Sequence, residues 1–183
     1  MTRVALLVVA FAVAVGLRVA IGWPVVAPDV PAALAFAAAL YALALVSGTR
    51  VPVSRRAVLI GLGGLVLVCG PVAVEHVFST RPVPGTHGFF PWAAAVLVVA
   101  TAEEVFLRGT LYDATERVWG ANAAIVLAAV CFTALHVPLY GWHVVPLDLA
   151  VGLVLGGLRQ GSGTALAPAI THVGADLVGW FLR

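Results

Sequence analysis

Six polar side chains stand in stretches of this sequence that are otherwise apolar. They are Glu103, Glu104 and Arg108 in "AEEVFLRG", His136 in "FTALH", and His172 and Asp176 in "HVGAD". Glu104 and Arg108 are four residues apart with the acid first, the favourable order for an ion pair on one helix face. Glu103 is rotated about 100° from its neighbour on a helix, so that pair leaves it free for a partner on another element. A carboxylate with a histidine beside it can take a proton from water, and the remaining polar groups can stabilise an oxyanion. Two histidines and a carboxylate are also a catalytic zinc ligand set, here Glu103, His136 and His172. Equally, such a cluster can be a buried polar network that ties helices together, or a proton or ion path. No histidine is followed by glutamate, so HExxH is absent, as are GxSxG and an intramembrane aspartate pair.

The elements that carry these residues belong in a membrane. Of 183 residues, 62% are hydrophobic and 10% are charged, against about 25% charged in soluble domains, and the mean hydropathy is +1.10. Breaking the chain at polar, Pro and Gly clusters gives seven apolar stretches, roughly 4–22, 31–47, 57–74, 89–111, 121–137, 144–159 and 164–182. None shows the two-residue alternation of a barrel strand, and in lipid only a helix or a closed barrel satisfies its own backbone. The expectation is an all-α polytopic transmembrane bundle of about seven to eight spans. It forms one membrane-embedded domain, with residues 1–88 as accessory spans and 89–183 as the motif-bearing core. The N-terminal "MTRVALLVVAFAVAVG" reads as an uncleaved first span running to about Trp23.

Arginine placement orients the bundle. With the N-terminus inside, Arg3, Arg50, Arg55, Arg56, Arg117 and Arg159 fall on the cytoplasmic side, and Arg81 and Arg183 on the other. Arg18, near a span end, is expected to snorkel to the interface. All ten basic residues are arginine, which with the abundant Ala, Val, Gly and Pro points to a GC-rich bacterial source and an inner-membrane location. The net charge of +2 is scattered, and no basic patch for nucleic acid is present. Cys69 and Cys131 read as small buried hydrophobes, and Pro71 as a kink in the third span. Gly61, Gly64, Gly152 and Gly156 read as sites of close helix approach, the last two in GxxxG spacing.

Depth arguments link the clusters. If the fourth and fifth spans form a hairpin, the midpoint between 103 and 136 falls on Trp119–Gly120, the expected turn, which puts Glu103 and His136 at one level. Phe132, one turn before His136, can pack under the imidazole. His172 and Asp176 share a face of the last span, where the acid can fix the imidazole tautomer. The span limits leave His136 and His172 about 10 Å apart in depth at 1.5 Å per residue. Glu75, His76, Arg81, His87, Asp113, Glu116 and Arg117 are placed in loops, and His143 and Asp148 near a span boundary, with solvated or interfacial roles.

"EEVFLR", "FTALH" and "HVGAD", in this order on successive helices, resemble the EExxxR, FxxxH and HxxxN/D motifs of the CPBP family of intramembrane proteases. This family includes CAAX prenyl endoproteases and bacteriocin-processing or Abi proteins. The resemblance implies an endopeptidase in which Glu103 activates water, His136 holds that water, and His172 and Asp176 stabilise the oxyanion or orient the substrate. Glu104, Arg108 and Phe132 would be supporting residues. Members are commonly labelled metalloproteases; the favoured expectation is a cofactor-free mechanism, with zinc the alternative. Expected partners are membrane lipid and a peptide or protein substrate. The rival reading is a non-catalytic immunity or binding protein, or an ion-coupled carrier, that uses the same polar cavity.

Overall fold

The computed structural model describes residues 1–22, 30–78 and 87–182, with the backbone alone for 76–78. Seven α-helices follow one another: α1 (Thr2–Ile21), α2 (Val30–Val46), α3 (Arg55–Phe78), α4 (Phe89–Glu104), α5 (Tyr112–Tyr140), α6 (Val145–Ser162) and α7 (Leu166–Leu182). A π-helical segment, Val105–Leu111, joins α4 to α5, and a 3-10 turn, Trp142–Val144, precedes α6. No strand occurs among the described residues, in keeping with the all-α expectation.

Among the described residues, four stretches are long and apolar enough to cross a membrane: Thr2–Ile21, Arg55–Glu75, Phe89–Tyr140 and Trp142–Ser162. The apolar helices α2 and α7 have 17 residues each, somewhat short of the ~20 that span ~30 Å of hydrocarbon. The seven stretches read from the sequence correspond to helical regions, but these four are the spans that length and composition establish. The fourth differs most from expectation. Residues 112–119, placed in a loop with Asp113, Glu116 and Arg117, continue the helix, because the π segment carries α4 into α5 without a break. The expected turn at Trp119–Gly120 is a kink at Gly120, whose φ of 81° and ψ of 171° only glycine adopts readily. Glu75 lies on α3 and is exposed, and α3 runs through Pro71 as one helix. Trp23, Arg81 and Arg183 lie outside the described residues.

Small residues set the packing. A Cβ on Gly152 would come within 2.9 Å of the Ala129 Cα, and one on Gly156 within 2.8 Å of Ile125 Cγ2, so α6 lies close against α5. Gly61 and Gly64 do the same for α3 against α7, where added Cβ atoms would meet Ala167 O at 2.8 Å and Thr171 Oγ1 at 2.5 Å. The Thr171 hydroxyl donates across that seam to Gly61 O at 2.8 Å. Without water to exclude, membrane helices associate through such contact and through hydrogen bonds. An apolar core of Phe11, Phe36, Leu40, Phe106, Leu111 and Leu135 joins α1 and α2 to the π segment and α5. Cys131 is buried and Cys69 half-buried, and both are free thiols.

One end of the bundle gathers arginine contacts to backbone and acid. Arg3 Nη2 donates to Ser47 O at 3.1 Å and Arg56 Nη2 to Gly161 O at 2.8 Å. Arg159 Nη2 meets Asp113 Oδ1 at 2.6 Å.

Candidate active site

The end of α4 divides two adjacent carboxylates between different neighbours. Glu104 is fully buried and accepts from Arg108 Nη1 at 2.7 Å, the pair read from the i,i+4 spacing. The same oxygen, Oε1, accepts from His172 Nδ1 at 2.9 Å, which links α4 to α7. Arg108 also donates through Nη2 to Gly152 O on α6 at 3.2 Å, and its guanidinium lies 4.8 Å from the Phe132 ring centroid. These contacts make Glu104 and Arg108 a buried junction of five elements: α4, the π segment, α5, α6 and α7. Glu103 takes no part in that junction. It is 3% exposed, and its charged neighbour is Arg18 on α1, with Nη1 3.6 Å from Oε1.

His136, on α5, places Nδ1 3.0 Å from Phe132 O and 3.4 Å from Asp148 Oδ2 on α6. Both neighbours are acceptors, so Nδ1 carries the hydrogen and Nε2 is left as the acceptor. Tyr140 stacks on the imidazole, with centroids 5.6 Å apart. Phe132 meets His136 edge-on at 4.5 Å and His172 at 5.2 Å. That shared ring removes the expected depth conflict: His172 meets α5 one turn below His136, at Phe132, rather than at His136 itself. Asp176 Oδ2 lies 3.7 Å from His172 Nε2, beyond hydrogen-bond range. The tautomer of His172 is therefore set by Glu104, not by Asp176 as expected from the shared face.

Glu103, His136, His172 and Asp176 all line one cavity of about 1020 Å³, at the upper end of typical ligand pockets of about 300–1,000 Å³. Its wall includes Gly22, Trp92, Tyr140 and Leu147, which stand near helix ends on the side opposite the arginine contacts, so the cavity reaches that end of the bundle. Phe132 also lines it, whereas Glu104 and Arg108 lie behind the wall.

Two residues of this cavity were assigned elsewhere from sequence. Arg18 was expected to snorkel to the interface; its side chain, 14% exposed, instead turns to Glu103 and lies 5.0 Å from the Phe36 ring. The signal was present, since an ionisable residue within an apolar span is a functional candidate by default. Asp148 was given an interfacial role and instead faces His136. Asp113, expected in a loop, is helical and pairs with Arg159.

Among the described residues, no three His, Cys, Asp or Glu side chains converge as a metal site requires. Nδ1 is bonded in both imidazoles, to Glu104 in His172 and to Phe132 O in His136, which leaves Nε2 as the remaining ring nitrogen of each.

Residues 85–178, just over half of the chain, match the family model of the type II CAAX prenyl endopeptidase Rce1-like proteins. The chain belongs to this family. It is thus an integral membrane protein and, at the level of the family, an intramembrane CAAX-type endopeptidase, as the resemblance to the CPBP proteases implied. The matched segment holds Glu103, Glu104, Arg108, Phe132, His136, Asp148, His172 and Asp176 and leaves out α1, and with it Arg18. No curated protein and no solved structure matches the chain.

Proposed function

We propose that this protein hydrolyses a peptide bond of a membrane-associated protein or peptide with water activated by Glu103 and His136. The observation that carries the reading is the gathering of Glu103, His136, His172 and Asp176, from three different helices, around one cavity. Glu103 is the carboxylate left outside the Glu104–Arg108–His172 junction. It takes a proton from water while the Nε2 of His136 accepts the second hydrogen and holds the oxygen in line. The water oxygen bonds to the carbonyl carbon, and the carbonyl electrons move onto oxygen. The C–N bond then breaks, and the proton on Glu103 passes to the leaving nitrogen. His172 and Asp176 face the oxyanion or orient the substrate. To donate through Nε2, His172 must carry a second proton, because Nδ1–H is spent on Glu104. Asp176 must be protonated or act through His172. The reaction needs a carboxylate, imidazole and water, and no metal.

The bundle is read as seven to eight spans with an N-terminus in the cytoplasm of a bacterium, supported by the arginine contacts gathered at one end. Residues 89–183 form the catalytic core, with 1–88 as accessory spans. Processing of bacteriocin or peptide leaders, self-immunity and regulated cleavage of a membrane protein are the roles in view. The test is cleavage of a panel of fluorescence-quenched apolar peptides, one of them a prenylated CAAX peptide, by purified wild type and E103A. E103A is expected to remain folded and inserted and to cleave nothing. Cleavage by E103A would overturn the assignment of Glu103 as the general base.

A further inference from the structure

Among the described residues that line the cavity, Arg18 is the one with a permanent positive charge, and it comes from outside the family-matched segment. A guanidinium offers five N–H donors in a fork that suits a carboxylate in two-point contact. Here that fork is poorly used. Nη1 is buried and has no hydrogen-bond acceptor among the described residues; Glu103 at 3.6 Å supplies charge but no hydrogen bond, and the face rests on Phe36. Burying such a group in a membrane is costly without partners. Arg18 also sits in the last turn of α1, where the helix dipole favours a cation, but that effect acts at the helix terminus and does not require the side chain to enter the cavity.

We propose that Arg18 is an anion subsite for the substrate: it binds a carboxylate of the peptide, and in doing so moves off Glu103. The sign of the surroundings selects the ligand. Glu103, Asp148 and Asp176 line the same cavity, so a doubly charged phosphate is repelled more strongly than a single carboxylate, and the guanidinium already faces a carboxylate. Occupied by substrate, Arg18 no longer neutralises the general base; empty, it holds Glu103 in an ion pair. Recognition and activation are thereby coupled through one side chain.

The identity of the ligand as a peptide rests on the peptidase reading, but binding can be measured without turnover. The probe is a fluorescein-labelled apolar pentapeptide in three forms: the free acid, the C-terminal amide, and the amide with a penultimate glutamate. Binding is followed by anisotropy with the full chain in zwitterionic nanodiscs. Wild type is expected to bind the free acid, the glutamate peptide or both about tenfold or more tighter than the plain amide, the range of a charge-assisted hydrogen bond. Whichever form is preferred identifies the carboxylate as terminal or side-chain. In R18Q that preference falls to about one, and R18K, a point charge without the fork, keeps part of it. E103Q, which releases Arg18, binds the carboxylate peptide tighter than wild type while cleaving nothing. If R18Q does not fold, the E103Q comparison decides. Equal binding of all three peptides by wild type, a preference that survives in R18Q, or no gain in E103Q overturns the proposal. Loss of all three peptides equally in R18Q also overturns it, since that is the mark of a packing role. So does abolition of the preference by anionic phospholipid in the nanodisc, since a phosphate would then be the better ligand. Cleavage retained in E103Q would sink the role of Glu103 as general base alone, because the carboxylate preference is read independently.

Discussion

The junction around Glu104 predicts a loss of stability that can be reversed without restoring activity. In E104M the Arg108 guanidinium, fully buried and bound at 2.7 Å, is left without its counter-charge. Its remaining neighbours are Gly152 O at 3.2 Å and the Phe132 ring, and its Nε has no acceptor. Breaking a buried pair by removing one partner costs about 3–5 kcal/mol, a large part of the ~5–15 kcal/mol that stabilises a typical protein. For a chain of this size that corresponds to a fall in melting temperature of roughly 6–20 °C. Replacing both partners by apolar groups of similar length is about neutral or stabilising, so E104M/R108M should return close to the wild-type melting point. Activity should not return with it, because His172 still lacks the Oε1 that accepts from its Nδ1 at 2.9 Å. The assay is thermal unfolding in detergent followed by tryptophan fluorescence, with peptide cleavage measured on the same samples. A double variant as unstable as E104M would refute the ion-pair argument. Recovered cleavage in the double variant would refute the claim that Glu104 orients His172.

Other parts of the site make separate predictions. D148A should lower turnover on the order of tenfold, as loss of a group that orients an imidazole does elsewhere, with D148N less affected because it keeps an acceptor near Nδ1; kcat should fall more than KM rises. G152A should cost about 1–3 kcal/mol by overpacking, because its Cβ meets the Ala129 backbone at 2.9 Å and the strain displaces the carbonyl that Arg108 uses, seen as a lower melting temperature. Prolonged treatment with a zinc chelator should leave cleavage unchanged, since the proposed proton transfers need only carboxylate and imidazole; loss of activity that added zinc restores would overturn the metal-free reaction.

The contacts legible in the sequence were those made within one helix or across one short turn. The Glu104–Arg108 pair follows from i,i+4 spacing alone. The kink at Gly120 lies where the hairpin midpoint placed a turn. The same reasoning applied to His136 and Asp148 has its midpoint at Trp142, inside the turn between α5 and α6, so the contact at 3.4 Å was within reach of the method. It was missed because an acid near a helix start looks interfacial. Contacts between helices distant in sequence had no such signal. Neither the Arg18–Glu103 pair nor the His172–Glu104 bond follows from periodicity, because a helix wheel gives a direction but does not say which neighbour stands there.

The π-helical segment after Glu104 was also invisible, since its composition is that of any apolar helix. It bears directly on where Arg108 stands relative to Glu104. A turn wider than the α-helix, with bonding toward i+5, alters the rotation of every residue that follows it. Arg108 sits inside that turn, over Glu104, and reaches α6 from there. Side chains outside the main apolar core help to hold this register. The Thr110 hydroxyl lies 2.7 Å from that of Thr49, and Gly109 leaves no room for a Cβ beside the Thr49 methyl at 2.8 Å. Arg159 donates through Nε to Arg108 O at 2.7 Å while its other end binds Asp113. A backbone carbonyl within a buried helix bonded from outside the ladder ties that local geometry to α6. The placement of Arg108 beside Glu104 therefore rests on Thr49, Gly109 and Arg159 as well as on the ion pair itself. Residues that never approach the cavity thus help to hold the arginine of the buried ion pair.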